Sequence, residues 1–505
     1  MNIRILEHPR IPSEKRFNEI ANTPLWSCLM AGYAAAALME AGHDVSLLDA
    51  PSRHNEFGET VSDLLAHPPD ALFVHAVYFW EHTGALFQCL SRVRDEGYGG
   101  HICLFGFFPT LAYPVLLMNN RVVDSIAVGE FEHTLVDLAE RLRSGRQWQD
   151  VPGLAFRTPA RIEMAARRPP APDPDAFPFP IRFELPPSTA SILAGRGCYN
   201  QCSFCPVPCF YSEGPLWRGR SVKNVIREVE DLTDRGFRDF YFVDANFVGP
   251  GTEGKERIIR LARRLEPLGV TFGMESRPND LDSRLLETLR AAGLESLLMG
   301  IESGSTASLG RLRKGCSRET AEEAIALCRS FGIEPEVGFI MFEPDGTMED
   351  LRANLDFLTK NRLLDRLGRT ANVLCHRQIV LMGTPGYRQY QLSGRLEPRG
   401  YLGFEGEVTF LDPRVLWMSK VMRFCCLSVL KAMSEPMSPI YWEKEAPYSE
   451  PFQRVNAWLV ELFERLLESA ENTTSLPKLA DLEGDIEGEL QEKIRQDRCP
   501  LRQTR

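Results

Sequence analysis

Two blocks of strand–helix alternation, separated by a run of prolines, restrict what this chain can fold into more than any other feature. In the first block Asn2–Glu7, Asp44–Asp49, Ala71–Val77, His101–Phe105 and Ser125–Val128 are short apolar segments that read as strands. Helical patterns lie between them, the first being Leu25–Ala41, rich in Ala, Leu and Met. Strands spaced by helices of this length imply a parallel sheet covered on both faces. Ligands of such sheets sit beyond the carboxyl ends of the strands.

The proline run comprises Pro169-Pro170, Pro172, Pro174, Pro178, Pro180 and Pro186-Pro187. Proline neither propagates a helix nor joins a central strand, so a boundary is predicted here. The second block reads as six strands: Ala190–Ala194, Asp239–Val243, Thr271–Met274, Ser296–Ile301, Glu336–Met341 and Val373–Val380. Helical patterns at Val222–Arg235, Lys255–Leu265, Ser283–Ala292 and Arg318–Phe331 separate them. Six β–α units are too many for a simple doubly wound sheet and too few for a closed eight-fold barrel, which predicts a partial (βα)6 barrel. Beyond it Trp417–Met433 and Phe452–Ala470 read as helices, and the charged tail after Glu471 is expected to be poorly ordered. The expected organisation is α/β: a Rossmann-like domain over 1–150, a linker over 151–187, a barrel over 188–405 and a helical C-terminal region over 406–505.

Composition narrows the partners. A chain of 505 residues exceeds one compact core. Its net charge of −11 disfavours a nucleic-acid partner held by general electrostatics. Absence of an apolar run of about 18 residues predicts no membrane span. Met1–Arg10 lacks the basic-then-apolar order of a signal peptide and reads directly as a strand. Thirteen cysteines spread thinly over the chain suit a reducing compartment, so a cytoplasmic location is expected. Cys28, Cys89, Cys328 and Cys375 stand in apolar stretches and read as small buried hydrophobes.

One group of cysteines departs from that pattern: Gly195-Arg-Gly-Cys198-Tyr-Asn-Gln-Cys202-Ser-Phe-Cys205, directly after the first strand of the second block. Thiolates hold iron–sulfur clusters, and closely spaced cysteines on a loop let one backbone wrap three irons. Three ligands leave a fourth iron open to a small molecule. Structural zinc instead takes four ligands, often as two separated pairs, and unrelated buried cysteines do not bunch in this way. Cys209 could supply a fourth thiolate, but Pro206 and Pro208 stiffen the chain and turn it away, so Cys209 is left outside the ligand set.

The run resembles the radical S-adenosylmethionine signature, including the aromatic Phe204 before the third cysteine. The resemblance implies a four-iron–four-sulfur cluster on Cys198, Cys202 and Cys205 in a partial (βα)6 barrel. Its open iron would bind the amino and carboxylate groups of S-adenosylmethionine. Once reduced by an external donor of the flavodoxin or ferredoxin type, it would cleave that cofactor to methionine and a 5′-deoxyadenosyl radical. Asp244-Ala-Asn246-Phe247, Glu275-Ser-Arg277-Pro278, Gly300-Ile-Glu302-Ser303-Gly304, Leu312-Arg-Lys314-Gly315, Gly338–Thr347 and Gly383-Thr-Pro-Gly386 resemble later segments of the same family. Polar residues at the strand ends of a barrel hold ligands. Glu302 and Ser303, then Asp244, Glu275 and Arg277, are therefore the candidate cofactor contacts alongside Phe204; the alternative for each is a rim residue in a local salt bridge. Trp217-Arg218-Gly-Arg220-Ser221 is expected to open the next helix, with Ser221 as its N-cap and Arg220 available to a carboxylate of cofactor or substrate.

The first block resembles the cobalamin-binding module that precedes the barrel in one radical S-adenosylmethionine group. The matching pieces are Glu40-Ala-Gly42-His43, Asp49-Ala50 and Val128-Gly129-Glu130-Phe-Glu132. That resemblance implies cobalamin beside Gly106, Phe107, Phe108, Gly129 and Glu130. The chain departs from the family by carrying Gly106-Phe107-Phe108 where a Gly-Gly loop is usual, and Phe131 where a second glycine is common. No Asp-x-His-x-x-Gly sequence offers a histidine to cobalt. Two functions follow. One is cobalamin-dependent C-methylation, or a radical cyclisation or rearrangement, of a small metabolite. The other is a radical enzyme whose first domain binds substrate or partner without cobalamin. Methylthiolation of RNA would need further cluster cysteines, and Cys28, Cys89 and Cys103 are too scattered.

Overall fold

A computed structural model describes residues 1–11, 29–182, 189–212, 214–435, 438, 449–472 and 486–494. The start of the expected first helix (Leu25–Cys28) and Pro186-Pro187 lie outside the described residues. The chain divides into two compact units, one of residues 1–298, 327–334 and 380–407, the other of 299–326, 335–379 and 408–505.

The first unit begins with a seven-stranded sheet ordered β2-β1-β3-β4-β5-β6-β7. Its strands are β1 (Asn2–Glu7), β2 (Asp44–Asp49), β3 (Ala71–His75), β4 (His101–Phe105), β5 (Ser125–Ala127), β6 (Leu154–Arg157) and β7 (Ile162–Met164). The first five are parallel, with Ile3 opposite both Val45 and Ala71, and β6 and β7 close the edge antiparallel. The antiparallel hairpin was not legible: β7 is only three half-buried residues, Ile162-Glu-Met164, too short for its alternation to register as a strand. Helix α1 (Leu29–Glu40) is buried on nearly every side, as a helix of Ala, Leu and Gly without a polar face must be. The proline-rich segment docks on it. Ile181 N donates to Gly32 O at 3.1 Å, and a Cβ on Gly32 would come within 2.5 Å of Ile181 O, so only glycine admits the contact.

The same unit continues with α2 (Phe57–Ala66), α3 (Thr83–Asp95), α4 (Phe107–Asn119) and α5 (Glu132–Arg143) around the first sheet. A second parallel sheet is built from β8 (Thr189–Ile192), β11 (Asp239–Phe242) and β12 (Thr271–Ser276), with Thr189 and Thr271 both opposite Asp239. Between β8 and β11, β9 (Gly195–Gly197) and β10 (Trp217–Gly219) pair antiparallel. Trp217–Gly219 is thus a strand rather than the opening of a helix. Ser221 does cap α7 (Val222–Asp234), accepting from Asn224 N at 3.1 Å. The chain then runs through α6 (Val207–Phe210) within the β9–β10 loop, and α8 (Gly251–Leu265) and α9 (Ser283–Ala291) between later strands.

In the second unit the last residues of β13 (Leu294–Glu302) lie beside β14 (Glu336–Phe339). The expected sixth strand, Val373–Val380, is a correction. Val373–Cys375 ends helix α13 (Leu367–Cys375), in which Leu367, Ala371 and Leu374 recur at helical spacing and are buried. Packing against α15 (Pro413–Ser434) and α16 (Glu450–Asn472) overrides the strand preference of valine. One parallel bridge survives, where Phe342 N donates to His376 O at 3.1 Å and Gln378 N to Phe342 O at 2.8 Å. The charged tail also departs from expectation: 486–494 is helical, with Ile486 and Leu490 buried and Glu489 accepting from Trp458 Nε1 at 3.1 Å. Among the described residues no helix is long and apolar enough to cross a membrane.

Candidate functional site

The cysteine run is the loop of the β9–β10 hairpin, closed tightly at its base. Gly197 has φ +86, and a Cβ there would stand 1.9 Å from Leu216 O, so the residue before Cys198 has to be glycine. Cys198 and Cys202 are buried and Cys205 is half-buried. Cys205 N donates to Cys202 O, and Asn200 Nδ2 donates to the Cys202 sulfur at 3.0 Å, a bond that favours thiolate. Phe204, between them, is half-buried. Pro206 is the N-cap of α6 and Pro208 lies in its first turn, where proline is at home. Cys209 therefore sits in a helical turn, and burial pushes its thiol up, the opposite of what a ligand needs. Among the described residues no three His, Cys, Asp or Glu side chains surround a single ion. A four-iron cluster does not ask for that, because each thiolate binds a different iron.

The loop is tethered at residues that sequence reading passed over. Tyr199 OH donates to Asp280, which also accepts from Asn246 Nδ2 at 2.8 Å, and the Arg277 guanidinium stands 4.9 Å over the Tyr199 ring. Gly386 N donates to Ser203 O at 2.7 Å, so the Gly383–Gly386 stretch holds the loop's backbone. A cavity of about 640 Å³ opens beside that stretch, lined by Met382, Thr384, Tyr387 and Arg388.

At the carboxyl ends of β11 and β12 stand Asp244 and Glu275. Ala194 N donates to Asp244 at 2.9 Å, yet burial pushes this carboxyl up to about 7. Burial alone does the same to Glu275. Arg220 is not available to a ligand: it pairs with Glu228, which Arg182 also holds at 2.7 Å, all three being buried.

In the second unit, Glu302 and Ser303 follow β13. Glu302 has φ +73 and pairs with Lys314 at 2.9 Å. A Cβ on Gly300 would come within 2.8 Å of the Lys314 ammonium and 2.9 Å of the Glu302 carboxylate, so this glycine makes room for the pair. Ser303 is fully buried and its hydroxyl donates to Asn354 of α12 (Met348–Lys360) at 2.7 Å. Its geometry is that of a loop-to-helix tie.

The carboxyl edge of the first sheet carries Glu7, His75, Gly106 and Gly129. Burial, with Arg10 nearby, pushes His75 down to about 3, and the neutral ring donates Nδ1–H to Glu7 at 2.7 Å. Gly106 and Gly129 both have positive φ, and Gly129 N donates to the Thr110 hydroxyl oxygen at 3.0 Å. Phe107 stacks on Phe210 of α6 with ring centres 4.3 Å apart. Phe108 is buried against Tyr78 and Phe404. Glu130 accepts from Arg196 at 2.9 Å and from Arg218 at 2.9 and 3.2 Å.

An α/β chain with three closely spaced cysteines after the first strand of a parallel sheet defines a class of iron–sulfur enzyme, and the comparisons agree. Residues 192–358 match the Radical SAM superfamily, so the chain carries a radical SAM domain and is a radical SAM enzyme. It is 28% identical over 355 residues to the anaerobic magnesium-protoporphyrin IX monomethyl ester cyclase of Synechocystis sp., covering 66% of this chain and 67% of that one. An uncharacterized methyltransferase of Pyrococcus horikoshii is 24% identical over 339 residues, covering 64% and 72%. The fold matches that of OxsB, a cobalamin-dependent S-adenosylmethionine radical enzyme solved with aqua-cobalamin and S-adenosylmethionine, with TM-score 0.70 at 18% identity over 93% of this chain and 71% of that chain. It also matches the radical S-adenosylmethionine methyltransferase TsrM from Kitasatospora setae, solved with cobalamin and a four-iron–four-sulfur cluster, with TM-score 0.66 at 16% identity over 93% and 99%.

Proposed function

We propose that this chain uses a four-iron–four-sulfur cluster on Cys198, Cys202 and Cys205, S-adenosylmethionine and cobalamin to methylate an unactivated carbon of a small metabolite. The observation that carries the reading is the hairpin loop itself, which presents three cysteines and turns the fourth, Cys209, into a separate helical turn. The cofactors supply radical chemistry and a methyl-carrying metal; the protein supplies position and a dry site. Tyr199, Asp280 and the Gly386 amide hold the loop in place. Asp244, Glu275, Arg277 and Glu302 remain the candidate cofactor contacts, with the two raised carboxyls suited to an ammonium-bearing ligand that would lower them again.

In this reading a flat macrocycle lies at the carboxyl edge of the first sheet, where Gly106 and Gly129 are both buried with positive φ and leave the backbone without side chains. Phe107 would then give an apolar wall. A second reading, a first domain without cobalamin, is favoured by the Phe107–Phe210 stack occupying that edge. Radical cyclisation stands as the variant suggested by the cyclase relative. The net charge supports a small molecule over nucleic acid, the cysteine usage a cytoplasmic setting, and the need for a reduced cluster an external flavodoxin- or ferredoxin-type donor. Anaerobic reconstitution with iron and sulfide, followed by absorption spectra with and without hydroxocobalamin, tests the proposal. Cluster and corrin bands in the same purified chain support it; a cluster with no corrin uptake at micromolar concentration moves the assignment to the second reading.

A further inference from the structure

Two carboxylates in the first unit are each buried and each held by two arginines. Glu228 takes Arg182 at 2.7 Å and Arg220 at 2.5 Å; Arg182 also donates to Ser191 O of β8, and Arg220 to Leu193 O and to the Asn224 side chain of α7. Glu130 takes Arg196 and Arg218, the middle residues of the two strands that form the base of the cysteine loop. Arg196 also reaches Glu132 at 2.7 Å and lies over the rings of Phe177 at 4.1 Å and Tyr33 at 4.8 Å. Ala171 N of the proline-rich segment gives Glu130 a further hydrogen bond at 2.7 Å, and Arg218 returns one to Ala171 O. All four charged side chains are at most 5% exposed, two positive and two negative.

A balanced buried quartet of this kind is not an efficient way to gain stability, since desolvation consumes most of the attraction and apolar replacements often serve as well. It does fix geometry, because Arg presents a rigid fork that accepts carboxylates in few orientations. Here the fixed point is two residues from Cys198, and the intervening Gly197 is itself locked by Leu216. Two more contacts join the same edge to the same loop: the Phe107–Phe210 stack, and Gly129, whose Cβ position is 3.4 Å from Phe210 O.

We propose that Glu130 and Arg196 are positioning residues for the iron–sulfur cluster, anchoring the cysteine loop to the carboxyl edge of the first sheet so that the exposure and reduction potential of the cluster depend on that anchor. This rests on the reading of Cys198, Cys202 and Cys205 as cluster ligands. Burial opposes the charge on Glu130, but Arg196 and Arg218 outweigh it and hold its carboxyl below the usual range, so the anchor is ionised at neutral pH. Glu228 is the matched control, buried and held by two arginines; among the described residues its partners are Arg182 and Arg220, the latter directly after β10 and outside the two hairpin strands.

The test measures iron loss to a chelator and a redox titration followed by electron paramagnetic resonance on reconstituted full-length protein, in the wild type, Glu130→Gln, Glu130→Asp and Glu228→Gln. Glu130→Gln is expected to lose iron on the order of tenfold faster and to shift the cluster's midpoint potential, as changes behind metal ligands do. Glu130→Asp should recover part of both effects. Glu228→Gln should lower the melting temperature but leave iron loss and potential as in the wild type. If Glu130→Gln does not fold, Glu130→Gln/Arg218→Met keeps the buried charge balanced, with Arg196 on Glu132, and the same accelerated iron loss is expected. Equal behaviour of the Glu130 and Glu228 variants would overturn the proposal while leaving the ligand set intact. A wild type that assembles no cluster would overturn both.

Discussion

The two sheets of the first unit carry opposite chemistry at their carboxyl edges. On the first sheet every charge named above is answered: Glu7 by His75 and Arg10, Glu130 by Arg196 and Arg218. On the second sheet Asp244 is buried and Glu275 half-buried, with their carboxyls raised to about 7. On the proposed function, the difference separates support from site. Burying a charge without full compensation is costly, and a fold tolerates it where a ligand will complete the set.

The largest expected effect falls on the second edge. Cys198→Ala, Cys202→Ala and Cys205→Ala should each abolish the catalytic cluster, whereas Cys209→Ala should keep it; iron counting and electron paramagnetic resonance decide. Cluster loss in the Cys209 variant would erase the distinction between loop and helical turn.

Next comes the first edge as core. Phe108→Ala should cost about 3–5 kcal/mol in denaturant unfolding, because its ring is buried with Tyr78 and Phe404. Phe107→Ala, half-buried on Phe210, should cost less and change cobalamin affinity instead. Equal stability losses would place both rings in one core.

The pH dependence sharpens the contrast. Glu275 keeps its proton in the folded chain up to about 7 but loses it near its ordinary value when unfolded. Unfolding then releases a proton, so this group's stabilising contribution is full below about pH 4.5 and is lost as pH rises to about 7. Glu275→Gln should flatten that decline, by up to about 3 kcal/mol between the two limits. Glu130, held down, has the opposite sign: its contribution is present above the usual carboxylate range and is lost on acidification below it. Unfolding curves of both variants from pH 3 to pH 8, a range set to span about both windows, should show slopes changed on opposite sides. A change on the same side would contradict the division.

The smallest effects concern β13. Ser303→Ala should cost about 1–3 kcal/mol by removing the bond to Asn354 and the acceptor of Ser305 N, and leave S-adenosylmethionine affinity little changed. Glu302→Ala should weaken that affinity in calorimetric titration of reconstituted protein. An affinity loss in the Ser303 variant would make it a ligand contact after all.

Much of this was readable where a short-range pattern decides structure. β1, β2 and β4 begin and end at the residues their apolar runs suggested, and Ser221 caps its helix as a serine before a helical run should. Reading failed where tertiary partners decide. Val373 and its neighbours carry strand-like residues but pack in a helical layer. Trp217–Gly219 becomes a strand only because Gly195–Gly197 pairs with it. The two arginines that hold Glu130, 66 and 88 residues away, leave no local trace in the sequence. The same holds for Tyr199 with Asp280 and Glu302 with Lys314.

The most direct test of the account is the spectrum of the dithionite-reduced, reconstituted chain before and after S-adenosylmethionine is added. A four-iron signal that shifts on addition is predicted, because three cysteines leave one iron open to the cofactor. A four-iron signal indifferent to S-adenosylmethionine would mean a fully ligated cluster and would contradict the three-cysteine site.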